Sequence, residues 1–195
     1  MGITLTKEEV YTLYSGILAV SKLGGAIAEV GVYRGGSAKV ICEVKCNKPL
    51  YLFDTFEGMP DERISGSLDA WKNGTHTGTS LEEVRACLNK YPKVHYVQGI
   101  FPDCISQYAE EAIEELTFSF VHLDVDLYRS TLDALVFFYR RMVPGGRIVS
   151  HNYNLTKRGN GMSTPGVKAA FKEYFKDREH HIIEIAETQC MVIKN

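Results

Sequence analysis

Short apolar runs alternate with amphipathic segments along most of the chain. Five of the apolar runs have the length of buried parallel strands, at residues 26–32, 50–53, 94–97, 118–123 and 147–150. Apolar positions at helical spacing lie between and after them and predict helices at residues 37–45, 81–90, 103–113, 131–142 and 165–175. Such alternation of strand and helix is typical of an α/β doubly wound sheet.

The two ends of the chain depart from this alternation. Thr6 and Glu9 have the spacing of a capping box, which predicts a helix start. The stripe of that helix is expected at Val10, Leu13, Tyr14, Ile17, Leu18 and Ser21. Near the other end, apolar runs at 181–186 and 190–194 flank a short polar turn and predict a β-hairpin. A mostly parallel seven-stranded sheet closed by an antiparallel hairpin indicates the three-layer, Rossmann-like class I methyltransferase fold.

Length and composition narrow the function classes. We expect residues 1–195 to form a single domain, with an N-terminal helical segment over 1–24 and the core over 25–195. A formal net charge of -2 gives no electrostatic footprint for nucleic acid or an anionic membrane. No apolar run approaches the roughly 18 residues of a membrane span. Five scattered cysteines give no zinc-site spacing and favour reduced thiols in a cytoplasmic protein.

Residues 28–37 pass from a buried-strand sequence through a glycine-rich turn into a helix start. Glycines in this turn let the backbone approach a ligand closely, and the helix N-terminus can bind a carboxylate. Glu29 precedes the first glycine, Gly31, and Asp54 ends the second strand run, where it can accept hydrogen bonds from ribose hydroxyls. The glycine spacing is not G-x-G-x-x-G, and the flanking acids suit the cationic cofactor S-adenosylmethionine better than a nicotinamide.

Four ordered motifs resemble those of a known family: EVGVYRGGS at 29–37, FDTFEGMP at 53–60, GIFPD at 99–103 and HLDVDLYRST at 122–131. With PGG at 144–146, they resemble the macrocin O-methyltransferase (TylF-like) family over about residues 25–175. The first motif is also similar to that of catechol O-methyltransferase, which shares the fold. The resemblance implies transfer of a methyl group from S-adenosylmethionine to a hydroxyl, typically on a sugar of a natural product.

The resemblance also implies where the cofactor would lie. The methionine part would be surrounded by residues of the glycine turn, namely Glu29, Gly31, Tyr33 and Ser37. The ribose would be held by Asp54, with Thr55 and Phe56 nearby, and the adenine would be bordered by Gln98, Gly99 and Ile100. Asp124 would lie where the cofactor and the acceptor meet.

In the resembling families a divalent metal, usually magnesium, is held by the acid of the Leu-Asp motif and by a pair of residues after the fifth strand. That pair is Asp-Asp in the macrocin family and Asp-Asn in the catechol enzymes. Here Asp124 matches the first ligand, but the pair is His151 and Asn152. Magnesium prefers oxygen ligands, and imidazole suits manganese, iron, zinc or nickel better, so we expect weakened magnesium binding.

Three interpretations of His151 stay open at this point. The imidazole ligates a softer divalent metal, or it acts without metal as the general base for the acceptor hydroxyl, or it is a non-catalytic replacement in an inactive chain. Asp124 and His151 are therefore the candidate catalytic residues. Asp126 is a further candidate metal neighbour or base, although a residue in this position more often only turns the chain after a strand.

We therefore expect an S-adenosylmethionine-dependent O-methyltransferase that acts on a hydroxyl of a small acceptor, such as one that carries a sugar. The alternative is a non-catalytic S-adenosylmethionine-binding protein that senses the cofactor or acts with a partner. Because few residues precede the first strand, the acceptor site is expected to be open or completed by another subunit of a homo-oligomer. His76 and Trp71 are candidate acceptor contacts, and residues 156–163 a candidate gating loop, with ordinary exposed loops as the alternative.

Overall fold

The structure is a computed structural model that describes residues 4–60, 69, 75–107, 113–155, 164–176 and 181–195. Within these ranges one sheet contains seven strands: β1 (Ala26–Val30), β2 (Leu50–Asp54), β3 (Val94–Gln98), β4 (Phe118–Leu123), β5 (Met142–Ser150), β6 (Ile182–Ile185) and β7 (Gln189–Ile193). The α-helices that these described ranges contain flank it: α1 (Lys7–Ala19), α2 (Gly36–Val44), α3 (Leu81–Leu88), α4 (Tyr128–Tyr139) and α5 (Pro165–Phe175).

The strand order is β3-β2-β1-β4-β5-β7-β6. Strands β1 to β5 pair in parallel, and β7 is antiparallel to both β5 and β6. Every residue of β1 and β4 is buried, because both faces of these central strands are covered. The expected mostly parallel seven-stranded sheet, with its closing antiparallel hairpin, is confirmed.

Helix α4 and strand β5 differ from the bounds that the sequence predicts. The helix begins at Tyr128 and ends at Tyr139, whereas the pattern placed it over 131–142. Met142 instead starts β5 and pairs with Phe118. The register of β4 and β5 shifts between Phe118 and Phe120, so the PGG segment at 144–146 is a bulge inside a long strand.

The helix predicted over 103–113 is only partly present. Two short 3₁₀ helices, Asp103–Gln107 and Ile113–Glu115, lie in this region, and residues 108–112 fall outside the described ranges. Phe101, Cys104 and Ile105 all pack into the core, which fixes a tight turn directly after β3. The candidate gating loop at 156–163 and Trp71 also lie outside the described residues.

Helix α1 packs on the sheet through a face that the predicted stripe only partly matches. The capping box is present, since Glu9 N donates to Thr6 Oγ1 and Thr6 N donates to Glu9 Oε2. The buried residues of the helix are Glu9, Leu13, Gly16 and Ile17. Tyr14 and Leu18, which the predicted stripe includes, are each 43% exposed. The buried face of the helix is therefore rotated away from these two residues and includes Glu9. A carboxylate therefore sits in the apolar interface between α1 and the sheet.

Asp69 joins two helix starts to each other. Its Oδ2 accepts a hydrogen bond from Tyr128 N at the start of α4 (3.0 Å), and its Oδ1 accepts one from Gly166 N at the start of α5 (2.8 Å). Neither helix has a capping side chain of its own. The buried carboxylate thus supplies the missing acceptor to both N-termini and complements both helix dipoles.

None of the helices in the described ranges has the length and apolar character that crossing a bilayer requires. That the chain folds as one domain stays a prediction.

We expect Asp69→Ala to lower the free energy of unfolding by about 1–3 kcal/mol, because two N–H donors at helix starts, one of them buried, lose their acceptor. Urea denaturation of the purified chain measures this loss. Glu187→Ala, at an exposed turn position, is the control and should change stability by less than about 0.5 kcal/mol. Equal effects of the two substitutions would contradict the capping role of Asp69.

Candidate active site

A cavity of about 250 Å³ opens at the carboxyl ends of the central strands. It lies where β1 has β2 on one side and β4 on the other, the point at which strand order reverses. Residues from the ends of β1, β2, β3, β4 and β5 line it, among them Gly31, Asp54, Gly99, Asp124 and His151. Chain connectivity at this edge therefore brings together segments that are far apart in the sequence.

The glycine turn after β1 lies against the segment after β4 with no space for a side chain. Gly31 has φ +86°, and a Cβ on it would meet the carbonyl oxygen of Asp124 at 2.0 Å. Asp124 N donates to Val30 O (2.9 Å), so the two segments continue the pairing of β1 and β4. Only glycine satisfies both the backbone angle and the contact at position 31.

Asp54 holds the glycine turn in shape from the end of β2. Its Oδ2 accepts hydrogen bonds from Val32 N (2.6 Å) and Tyr33 N (2.9 Å), and its Oδ1 accepts one from Phe56 N (2.7 Å). The carboxylate also lines the cavity. Asp54 therefore orders the turn through backbone donors, in addition to the role toward ribose that the sequence suggests.

Helix α2 begins at this turn with its N–H groups directed to the site. Its N-cap residue is Gly35, with φ 75°, and no side chain caps the first turn. Gly36 and Ser37 line the cavity. Uncapped N–H groups at a helix start favour an anionic ligand group such as a carboxylate.

Three of the predicted cofactor residues do not line the cavity. Glu29 is fully buried behind the glycine turn, with Oε1 2.8 Å from Nδ1 of His122. Burial raises the pKa of Glu29, and the hydrogen bond from His122 works against that rise. Phe56 packs into the core, and only its backbone N–H reaches toward the site, through Asp54.

Gln98, the third of these, is exposed at the end of β3, and its Nε2 donates to Thr55 O (3.4 Å). Side chains alternate between the two faces along a strand, so a motif match alone does not say which one faces a ligand. The remaining predicted cofactor residues do line the cavity, namely Gly31, Tyr33, Ser37, Asp54, Thr55, Gly99, Ile100 and Asp124.

His151 lies between two carboxylates at the opposite end of the cavity. Its Nδ1 is 2.9 Å from Asp124 Oδ1, and its Nε2 is 3.1 Å from Glu9 Oε1. The imidazole side chain is 5% exposed, Glu9 is fully buried, and Asp124 is 19% exposed. Asp124 is therefore the member of this group that is most open to the cavity.

Each of these three groups shifts the pKa values of its neighbours so that the charged forms are favoured. Burial acts to lower the pKa of His151, but the charges and hydrogen bonds of Asp124 and Glu9 outweigh burial and raise it to about 10. Burial acts to raise the pKa of Glu9, but hydrogen bonds from His151 and Thr188 lower it to about 2. The pKa of Asp124 is lowered because the charge of His151 outweighs the effect of burial. At neutral pH the group is an imidazolium between two carboxylates.

Asn152 and Asp126 form a second pair beside His151. Asn152 Nδ2 donates a hydrogen bond to Asp126 Oδ1, and both residues have positive φ angles, 61° and 60°. Burial raises the pKa of Asp126 to about 8, and the charge of nearby Asp124 adds to the rise. Asp126 is thus largely a neutral carboxyl at neutral pH, which gives the site a hydrogen-bond donor.

The three predicted metal ligands do not fit a divalent cation. Both nitrogens of His151 face carboxylate oxygens, so neither offers a lone pair to a metal. The amide nitrogen of Asn152 is turned to Asp126, and Asp124 shares one oxygen with His151. Within the described part of the chain, no group of three or more His, Cys, Asp or Glu side chains is arranged to hold a metal ion. The same hydrogen bonds leave His151 without a nitrogen to serve as general base.

His76 enters the cavity from the segment after β2. Its ring meets that of Tyr33 edge-on with 5.0 Å between centroids, and its Nε2 is 3.7 Å from Asp126 Oδ2. Burial lowers the pKa of His76 below its ordinary value, although Asp124 and Asp54 partly oppose the shift. The imidazole is therefore neutral at physiological pH, in contrast to His151.

Glu9 is the site residue that the sequence analysis missed. It was interpreted only as the closing residue of a capping box, which it is. The signal that would have found it is helical spacing: Glu9 precedes Leu13 by four residues and Gly16 by seven, so it shares their buried face. A charged residue on the buried face of a helix needs a partner, and here the partner is His151.

A family model described as macrocin O-methyltransferase (TylF) matches residues 13–185. The chain belongs to this family. The match begins inside α1 and ends with β6, so it includes all five strands that surround the cavity. The resemblance carried by the sequence motifs is confirmed.

Curated relatives of the chain are between 26% and 28% identical to it over the aligned residues. A tetracenomycin-type rhamnosyl 4'-O-methyltransferase from Streptomyces olivaceus is 28% identical over 66% of the chain and 53% of its own length. Demethyldecarbamoylnovobiocin O-methyltransferase from Streptomyces niveus is 27% identical over 77% and 58%. Mycinamicin III 3''-O-methyltransferase from Micromonospora griseorubida is 26% identical over 84% and 65%. The chain thus spans between about half and two thirds of the length of these relatives.

Solved structures share the fold of this macrocin-family chain. The O-methyltransferase NovP superposes with a TM-score of 0.75 at 20% identity, covering 95% of this chain and 79% of NovP. A calicheamicin methyltransferase gives a TM-score of 0.75 at 16% identity, covering 94% and 77%. At these identities the likeness shows the fold.

The charge of His151 predicts how stability depends on pH. The pKa of the ring is about 10 in the folded chain and ordinarily 6.5, so its contribution is complete below pH 6.5 and is lost as the pH rises to about 10. We expect the free energy of unfolding to fall by up to about 1.4 kcal/mol per pH unit across this window. Urea denaturation at several pH values measures the slope, and His151→Gln should remove this component. Parallel curves for the two proteins would contradict a protonated ring.

Proposed function

We propose that this chain is an S-adenosylmethionine-dependent O-methyltransferase that acts on a hydroxyl of a small, sugar-bearing acceptor. The observation that carries the proposal is the composition of the cavity wall. The glycine turn, the start of α2 without a capping side chain, and the carboxylates of Asp54 and Asp124 at two strand ends all line the same cavity. Family membership supports the reaction class. The names of three relatives, each an O-methyltransferase of an antibiotic or its precursor, support the acceptor class.

The residues present suit the methyl donor. Backbone N–H groups at the start of α2 would bind its carboxylate, and Asp54 and Thr55 lie where its ribose would be held. Gly99 and Ile100 would border the adenine. When bound, S-adenosylmethionine supplies an electrophilic methyl group on a sulfonium. The residues of the chain then have to bind the acceptor, orient its hydroxyl and take up its proton.

We propose that His76 takes up the proton of the acceptor hydroxyl. During methyl transfer the neutral imidazole of His76 would accept the proton that the acceptor hydroxyl loses. The side chain is 36% exposed, so the proton can leave to solvent afterwards. Asp124 and the neutral carboxyl of Asp126 would orient the acceptor from the other wall of the cavity.

Binding of the methyl donor is tested first, by calorimetry with S-adenosylhomocysteine. We expect Gly31→Ala to lose affinity by more than about tenfold, because the new Cβ overlaps the carbonyl of Asp124 at 2.0 Å. Gly24→Ala is the matched control, since a Cβ there meets nothing within 4 Å, and it should bind as the unmodified chain does.

An unmodified chain that binds no S-adenosylhomocysteine would defeat the proposal. Binding without turnover on a panel of glycosylated and free hydroxyl acceptors would instead favour a non-catalytic S-adenosylmethionine-binding protein.

The role of His76 is tested by the pH dependence of methyl transfer. The pKa of His76 is lowered by burial, so the rate should rise with pH and level off below the ordinary pKa of 6.5. We expect His76→Gln to lower kcat about 10²–10⁴-fold, with little change in donor affinity, and to abolish the plateau. His181→Gln, outside the cavity lining, is the control. A plateau retained in His76→Gln would assign the proton to another group.

A further inference from the structure

We propose that the imidazolium of His151, held between Glu9 and Asp124, is a built-in cation that serves this site in place of a divalent metal. The part of this proposal that concerns catalysis rests on the proposed function. The charge arrangement itself can be tested without any turnover.

With Glu9 and Asp124 both ionised, the geometry requires both ring nitrogens to carry protons. Carboxylate oxygens lie 2.9 Å from Nδ1 and 3.1 Å from Nε2 of His151. A neutral imidazole has one N–H and one lone pair, so either tautomer would leave a ring lone pair facing a carboxylate lone pair in a buried place. Only the imidazolium donates to both acceptors, and each such hydrogen bond is charge-assisted.

Glu9 is built to keep that cation in place. Its Oε1 accepts from Thr188 Oγ1 (2.6 Å) as well as facing His151, and its Oε2 accepts from Thr6 N (2.9 Å). The carboxylate is fully buried, so these donors replace all of its water. Without the charge on His151, Glu9 would be a buried anion with only neutral donors, which is costly. Glu9 is thus a positioning residue that acts through His151.

The charge on His151 reaches the acceptor through Asp124. Hydrogen bonding to Oδ1 fixes the carboxylate of Asp124, whose side chain is 19% exposed and lines the cavity. The ion pair keeps Asp124 ionised and holds it in one orientation, in which it can accept a hydrogen bond from a hydroxyl of the acceptor other than the one that is methylated. The positive ring, whose Nδ1 lies 2.9 Å from Oδ1, offsets the negative charge that Asp124 would otherwise present to the acceptor oxygen.

The first experiment measures protonation directly, by NMR of the chain labelled with ¹⁵N-histidine. We expect both nitrogens of His151 to give imidazolium-type signals at pH 7.5, identified by their loss in His151→Gln. Glu9→Gln should lower the pH at which His151 loses its proton by about 1–3 units, because one carboxylate partner is removed. Glu8→Gln, an exposed residue in the same helical turn, should leave that pH unchanged. A pyridine-type nitrogen on His151 at pH 7.5 would overturn the proposal.

The second experiment measures metal binding, with Mn²⁺ followed by electron paramagnetic resonance. We expect no stoichiometric binding at the site of the unmodified chain, and methyl transfer that persists when a chelator is present. His151→Asp replaces the cation with a third carboxylate beside Glu9 and Asp124, and should gain Mn²⁺ binding and a melting temperature that rises with Mn²⁺. Stoichiometric Mn²⁺ binding by the unmodified chain that His151→Gln abolishes, or turnover lost to the chelator and restored by metal, would overturn the proposal.

The two experiments separate the built-in cation from the proposed function. A chain without methyl transfer on any acceptor, but with an imidazolium His151 and no Mn²⁺ site, would defeat the methyltransferase activity and support the cation. If His151→Asp does not fold, the spectra of the unmodified chain, Glu9→Gln and Glu8→Gln still decide the question.

Discussion

A carboxylate that loses all contact with water has to gain donors from the protein, and Glu9 is in that position. Its donors come from three places: its own helix start, the turn between β6 and β7, and the residue after β5. The position of α1 on the sheet, the hairpin turn and the orientation of His151 are therefore fixed together. Removing one of these donors would leave the buried charge of Glu9 incompletely compensated, which is energetically costly. The relative positions of α1, the hairpin turn and His151 are therefore tightly constrained.

The two halves of the cavity are built by different physical means. Around the glycine turn the surface is mostly backbone, because Gly31 lies against the carbonyl of Asp124 and Asp54 holds the turn through N–H groups. The other half is made of charges whose protonation states are set by their neighbours: His151 is positive, Asp124 negative, and Asp126 and His76 largely neutral. Backbone packing thus determines the structure of one half of the cavity, and interactions between ionisable side chains determine that of the other.

The same division explains what could be predicted from the sequence. The strands, the glycine turn and Asp54 follow from local patterns, since apolar runs and glycines act within a few residues of themselves. The motif does not say that His122, 93 residues away, holds Glu29 behind the turn and out of the cavity lining. The start of α4 was missed for a similar reason, as its cap comes from Asp69, 59 residues earlier. Hydrogen bonds between residues so far apart in the sequence leave no trace in the local pattern of apolar and polar residues.

Glu9 and Thr188 are hydrogen-bonded across 179 residues of chain, and His151 bonds to Glu9 across 142. On a ribosome the segments emerge from the N-terminus onward, and the strands β1 to β4 that frame the glycine turn are available long before the last hairpin. Until then Glu9 has its local partner Thr6 but neither His151 nor Thr188. The charged half of the cavity therefore reaches its final arrangement only after the β6–β7 turn has been synthesised.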